Sequence, residues 1–127
     1  MPTTLADLER WEREGDIGKF HQILEYLDGE KYFPTRVYAI KALGRLGNPE
    51  SIPFLIKEAI SSNVSQVWIE EVMVKWGWRA VIPLVNYVCD ENYPLKRRRY
   101  AIRLISYMEK DIAFSILLLF LMQVRMT

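Results

Sequence analysis

The feature that most constrains the fold of this chain is an internal repeat. Residues 34–60 and 64–90 align without a gap, and the matched positions lie 30 residues apart through two predicted helices and the turn between them. The matched pairs are Val37 and Val67, Tyr38 and Trp68, Leu43 and Met73, Gly47 and Gly77, Pro53 and Pro83, and Leu55 and Val85. Because a fixed period marks a repeated supersecondary unit that cannot bury its apolar face alone, the pattern predicts stacked units with a continuous core.

Weaker echoes extend the repeat towards both ends of the chain. The segment Tyr100–Arg103 repeats the pattern of Tyr38–Lys41, and Gly15–Asp16 repeats the pattern of Gly47–Asn48. These echoes predict a single repeat domain over residues 1–127, with four units near 1–30, 31–62, 63–92 and 93–127.

Each unit is predicted to be a pair of helices joined by a tight turn. Apolar residues recur every three positions in the second unit, at 37, 40, 43 and 46, which places them on one face of a helix. Gly47 suits the left-handed position that ends a helix, and Asn48 and Pro49 suit the cap and first position of the next one. The fold class predicted is therefore all-α, an α–α superhelix (solenoid) of about four helical hairpins.

The segment from Arg36 to Ile56 resembles the short HEAT-like repeat first associated with phycobilisome lyases. It has the arginine, the small residues, Leu-Gly-x-Leu-Gly, Asn-Pro-Glu and the second apolar helix of that pattern. The third unit departs from it, because Trp78 replaces the capping Asn48 and the helix cap is expected to be lost there. The resemblance implies an α-solenoid of HEAT-like hairpins, which mostly serve as binding surfaces in unrelated proteins.

The composition is that of an ordinary folded domain. Half of the residues are hydrophobic and 26% are charged, and the formal net charge is +1. This excludes a disordered chain and favours neither a nucleic-acid binder nor an acidic protein. A single cysteine excludes an internal disulfide framework and favours a reducing compartment, and the N-terminus lacks the pattern of a secretion signal. These features predict a cytoplasmic protein.

The residue types that carry chemistry are sparse. His21 is the only histidine and Cys89 is the only cysteine, whereas a zinc site needs about four such ligands or well-placed carboxylates. The segment Leu43–Gly47 follows no predicted strand, so it is not a phosphate-binding loop. The sequence therefore predicts no catalytic residue, no metal and no cofactor, and we expect a protein that is not an enzyme. Cys89 is expected to be a small apolar filler.

The sharpest local feature is the basic segment Lys96, Arg97, Arg98 and Arg99, with Arg103 one turn further on. Positions 96, 99 and 103 share a helix face, and the other two spread to its sides. These five residues are predicted to bind a partner, either through phosphates or through an acidic protein surface. The alternative is a solvated face whose cations pair with the acidic residues at positions 70, 71, 90 and 91 of the preceding unit.

Two further predictions concern contact surfaces and inter-repeat charges. Trp78 lies on the turn of the third unit, where it is either an exposed contact residue or folds back over the turn. Lys41, Glu71 and Arg103 occupy one position in successive repeats and are expected to form a charge ladder between units.

The longest apolar stretch, Ile112–Met122, bears on assembly. It is much shorter than the roughly 20 residues that a helix needs to cross a bilayer, so no membrane span is expected. A helix that is apolar on all sides must be buried. It therefore packs against a second copy, docks into a partner, or the natural chain continues beyond it. The homodimer is the default, and its predicted self-association residues are Phe114, Leu117, Leu118, Phe120 and Leu121.

Three functions remain open after these observations. The first is a non-enzymatic scaffold for protein–protein interaction or assembly, which binds a protein partner and forms a homodimer through its C-terminal helix. The second is a nucleic-acid-binding module that uses the Lys96–Arg99 segment, although no basic position recurs in every unit. The third is implied by the resemblance alone, and is a chromophore chaperone similar to the phycobilin lyases.

Overall fold

The computed structural model describes residues 3–25 and 33–108, and within them the chain is all-α, as predicted. The part described contains no strand. It forms seven α-helices, which are α1 (Leu5–Glu14), α2 (Ile17–Glu25), α3 (Phe33–Leu46), α4 (Ile52–Ser61), α5 (Ser65–Trp76), α6 (Trp78–Cys89) and α7 (Leu95–Tyr107).

The helices stack in two layers. In the first layer, α3 packs against α1 and α5, and α5 packs against α7. In the second layer, α4 packs against both α2 and α6. One continuous core runs between the layers, and its fully buried side chains include Phe20, Ile40, Leu43, Leu55, Ile69 and Leu84. This arrangement of stacked helical hairpins confirms the predicted α-solenoid.

The turn of the second unit forms as its residues predict. Gly47 has a φ of 69°, a left-handed conformation that glycine adopts without a Cβ penalty. The Asn48 side chain then accepts a hydrogen bond from the Glu50 amide at 2.9 Å. A short 3-10 turn, Pro49–Ser51, leads into α4. In the third unit, α6 begins at Trp78 without a side-chain cap, which confirms that the cap is lost there.

The second helices of the two central units are out of register with the ungapped alignment. Leu55 is fully buried, but Val85, its predicted match, is 40% exposed. Leu84 is fully buried instead, so the equivalent positions of α4 and α6 lie 29 residues apart. The reason is the shorter turn after Gly77, because losing one residue rotates every later side chain by about 100°. The same rotation exposes Cys89, and the prediction that it fills the core is wrong.

One side-chain position ties successive units together. Arg36 donates to the carbonyl of Leu24 at 3.2 Å, Gln66 to that of Ala59 at 3.0 Å, and Arg98 to that of Val88 at 3.3 Å. Each acceptor lies in the last turn of the preceding second-layer helix, where carbonyls have no partner within the helix. The three donors occupy equivalent places in the repeat, so each unit caps the one before it.

A buried ion pair adds to this link in the second unit. The guanidinium of Arg36 binds both carboxylate oxygens of Glu58, with Nε 3.0 Å from Oε2. The Ser65 hydroxyl also donates to Glu58 Oε2, at 2.8 Å. All three side chains are buried. The network joins the start of α3, the end of α4 and the start of α5, and therefore fixes how the third unit sits on the second.

The predicted charge ladder does not form. Lys41, Glu71 and Arg103 make no ion pair with one another in the described part of the chain. The Lys41 ammonium instead lies over the Trp68 ring, 4.4 Å from its centroid, and the Arg103 guanidinium lies 5.8 Å from the Tyr100 centroid. Aromatic faces attract cations, and this attraction replaces the expected pairing.

Candidate interaction surfaces

The second-layer helix α6 carries an exposed apolar strip, which we call the α6 flank and define as Trp78, Ile82 and Val85. These side chains are 64%, 62% and 40% exposed. They lie four and then three residues apart, so they share one face of the helix. The structure places Trp78 in solvent and not folded back over the turn. The sequence did not single out Ile82 or Val85, because the ungapped alignment matches them to the buried residues of α4.

Within the described residues, the α6 flank faces away from α4. Pro83 and Tyr87 of α6 line a cleft of about 210 Å³ with the start of α4, and Leu84 points into the core. At about 100° per residue, the flank lies on the side opposite these contacts. In the shifted register Val85 corresponds to Ile56, which is fully buried. Pro49 and Pro53, which correspond to Trp78 and Ile82, are exposed and half-buried, so only the position of Val85 is covered in the second unit.

A second surface is an open groove of about 660 Å³, which we call the basic groove. One wall is α7, which contributes Lys96, Arg99 and Arg103. The opposite wall comes from the end of α4 and the start of α5, and the lining residues there are Ile60, Asn63 and Gln66. Leu95, just before the first of these cations, adds exposed apolar surface, and Tyr100 is a largely buried part of the lining. The structure thus brings together the three cations that were predicted to share a face.

The cations of the basic groove form no ion pair within the described residues, where the ion pairs involve Arg10, Arg36 and Arg45. The alternative pairing with the acidic residues of the preceding unit does not form in this part of the chain. Burial raises the pKa of Tyr100, and the negative charge of Glu70 adds to the effect while Arg103 opposes it. The phenol is therefore neutral, and its buried oxygen has no hydrogen-bond partner in this part of the chain.

The remaining two residues of the basic segment do not line the groove. Arg98 is half-buried and donates to the Val88 carbonyl at 3.3 Å. Arg97 is also half-buried and lies near Tyr87, where burial raises the pKa of the phenol and the arginine charge opposes that rise. The five predicted cations are therefore divided between a solvent-facing set and a set that packs against α6.

A histidine–serine pair was missed by the sequence analysis. The His21 Nε2 lies 2.8 Å from the Ser51 hydroxyl, and the imidazole stacks on Phe54 with centroids 3.9 Å apart. Burial lowers the pKa of His21, while the charges of Glu50 and Glu25 oppose that shift. Ser51 is fully buried, so its hydroxyl faces no substrate-accessible space. The pair joins the first unit to the second, and no sequence spacing could have revealed it.

The remaining predictions concern self-association, metal binding and a membrane span. The self-association residues Phe114, Leu117, Leu118, Phe120 and Leu121 lie outside the described residues. Within residues 3–25 and 33–108, no group of three or more histidine, cysteine or acidic side chains is placed to hold a metal ion. No helix in those same ranges is long and apolar enough to cross a membrane.

The stacked hairpins define an α-solenoid, a class whose members present extended binding surfaces. A family model, the PBS lyase HEAT-like repeat, matches residues 35–59, which cover most of α3, the turn and most of α4. The resemblance predicted for Arg36–Ile56 is thereby confirmed, and the chain carries a HEAT-like repeat of this type. Comparisons with curated proteins and with solved structures found no match.

Proposed function

We propose that this chain is a non-enzymatic protein-interaction module that self-associates through apolar surface at the C-terminal end of its solenoid. The observation that carries the proposal is the α6 flank, where Trp78 and Ile82 are more than 60% exposed. Exposed apolar side chains that cluster on one face mark interaction sites. Tryptophan is also among the residues that contribute most to binding energy at interfaces.

The occupant that we propose for the α6 flank is a second copy of this chain. Three side chains cannot supply the roughly 800 Å² per partner that a stable complex buries. The apolar run Ile112–Met122, which lies outside the described residues, provides the additional surface in the proposed dimer. A symmetric pair presents the same patch from both copies, and this is the commonest form of homo-oligomer.

Three observations support a non-enzymatic, intracellular role. The hydroxyl–imidazole pair of Ser51 and His21 is packed between units, with the serine fully buried, and so lacks access to a substrate. HEAT-like repeats generally serve protein interactions, and one such repeat is matched at residues 35–59 of this chain. The single cysteine, Cys89, is an exposed free thiol, and we propose a reducing, cytoplasmic setting on that basis.

The proposal is tested by placing a charge on the α6 flank. Ile82→Lys is expected to weaken self-association by at least about tenfold, because a lysine ammonium must be desolvated in the interface. The measurement is the dimer dissociation constant from sedimentation equilibrium. The control is Val67→Lys on α5, which has a matched exposure of 63% and is expected to leave the constant unchanged.

The proposed interface is wrong if both lysine variants associate as the wild type does, or if both weaken association equally. Far-UV circular dichroism establishes that the variants are folded, which we expect because both side chains already face solvent.

Nucleic-acid binding through Lys96–Arg99 is the second candidate function, since three cations meet in the basic groove. That candidate is tested by comparing how tightly the basic groove binds an oligonucleotide and an acidic peptide.

A further inference from the structure

The basic groove combines three kinds of surface in one place. Lys96, Arg99 and Arg103 form a row along one wall, and on a helix their Cα atoms rise by about 10 Å over the row. Leu95, which is 53% exposed, adds an apolar side chain at the end of this row. The opposite wall ends in Ile60 and carries the amide groups of the α4–α5 turn. A ligand that fills the groove must therefore meet cations and apolar atoms together.

The row of cations forms no ion pair with the described part of the chain. No carboxylate there lies within ion-pair distance of Lys96, Arg99 or Arg103, and the nearest aromatic ring to Arg103 is Tyr100, whose pKa the charge of Glu70 also raises. Like charges one turn apart on a helix repel one another. An anionic ligand removes this repulsion, so the groove favours a ligand with two or three negative charges spaced along its length.

The spacing of the row selects among anionic ligands. The cations lie three and then four residues apart, a rise of about 5 Å and then 6 Å along the helix. Carboxylates on successive turns of an acidic helical peptide have the same spacing. The apolar side chains of such a peptide also have partners here, namely Ile60 and Leu95.

Nucleic acid fits the groove less well. Single strands bind where exposed aromatic rings stack on the bases, whereas Tyr100, the aromatic residue of the groove, is only 3% exposed. The formal net charge of the chain is also only +1, which does not favour binding of a long polyanion.

We infer that the basic groove binds an acidic peptide segment of a partner protein, with carboxylates on successive helical turns and an apolar residue between them. Lys96, Arg99 and Arg103 bind the carboxylates, and Ile60 and Leu95 hold the apolar residue. The inference is independent of the proposed dimer, because it uses residues of α4, the α4–α5 turn and α7 and none of the α6 flank.

The test is a fluorescence-polarisation titration of the full chain with a labelled helical peptide that carries glutamates at positions i, i+3 and i+7 and leucines between them. A second peptide has lysine in place of each glutamate, and a third probe is a single-stranded oligonucleotide of the same length. The acidic peptide is expected to bind, with an affinity that falls as salt is added. The lysine peptide is expected not to bind.

Charge reversal locates the site. The double variant Arg99→Glu with Arg103→Glu is expected to weaken binding of the acidic peptide by about tenfold, since two attractions become repulsions. The matched control is Lys75→Glu with Arg79→Glu, which makes the same change in net charge at two exposed cations outside the groove. The control is expected to bind almost as tightly as the wild type.

Three results would overturn the inference. They are no binding of the acidic peptide at low salt, an equal loss of binding in both double variants, and tighter binding of the oligonucleotide than of the peptide. The last result would establish the groove as a nucleic-acid site. Sedimentation of the same charge-reversed variants keeps the two proposals apart, because a dimer that persists while peptide binding is lost separates the groove from the α6 flank.

Discussion

The contacts between Arg36, Glu58 and Ser65 govern how neighbouring units meet. A buried charge is costly unless it is paired and fully hydrogen-bonded. Here the carboxylate receives Arg36 and the Ser65 hydroxyl, and the guanidinium also binds the carbonyls of Ile23 and Leu24. The sequence marks Arg36 as part of the HEAT-like pattern, but it does not identify the acid. Glu58 lies 22 residues away, and only the folded hairpin brings the two together.

Removing one member of this pair is expected to be strongly destabilising. Arg36→Met leaves the Glu58 carboxylate buried without its cation, which costs about 3–5 kcal/mol of unfolding free energy. Urea denaturation followed by circular dichroism measures the loss. Arg79→Met, at an exposed arginine, is the control and is expected to change stability by no more than about 0.5 kcal/mol. A loss below about 1 kcal/mol for Arg36→Met would contradict the role assigned to the buried pair.

The sequence was sufficient to predict the buried face of α3 and its terminal turn, but not the register of α6. The face of α3 and the left-handed Gly47 follow from apolar spacing and turn chemistry, both of which are local. The register of α6 was not predictable in this way, because Pro53 and Pro83 match at a spacing of 30 although the helices align at 29. The structure shows that the 3-10 segment before α4 has no counterpart after Gly77, and the alignment of the two sequences does not show this.

The same limit applies to the two interaction surfaces. Helical spacing alone predicted that Lys96, Arg99 and Arg103 share a face, and the structure places them along one groove wall. The opposite wall comes from residues near position 60, more than 30 residues earlier, which no local pattern connects to α7. Trp78 of the α6 flank was identified as a candidate contact residue, but Ile82 and Val85 were missed because the ungapped alignment matches them to buried residues of α4.

The glycine that ends α3 provides a test at the level of this turn. In Gly47→Ala the added Cβ meets no atom within 4 Å, so the cost is that of the left-handed backbone alone, about 1–2 kcal/mol. Gly18→Ala in α2 is the contrasting variant, because its φ is not left-handed and helix propensity favours alanine by up to about 1 kcal/mol. Thermal unfolding should therefore shift in opposite directions for the two variants. Equal shifts would show that the Gly47 turn does not need glycine.

At the scale of the whole molecule, the solenoid offers two surfaces with different chemistry. The basic groove lies between α7 and the α4–α5 turn, and the apolar α6 flank lies on the second-layer helix of the third unit. The two surfaces share no residue. The proposed dimer can therefore bind the proposed acidic peptide at the same time.

The measurement that tests the central claim most directly is the solution mass of the full chain across a wide range of concentrations. The chain has a mass of 15.0 kDa, and we expect the weight-average mass to rise towards twice that value as concentration increases. Leu118→Asp with Phe120→Asp is expected to hold the protein at the mass of a soluble monomer. A wild-type chain that remains a soluble 15.0 kDa monomer at every concentration would contradict self-association and leave the basic groove as the interaction surface to pursue.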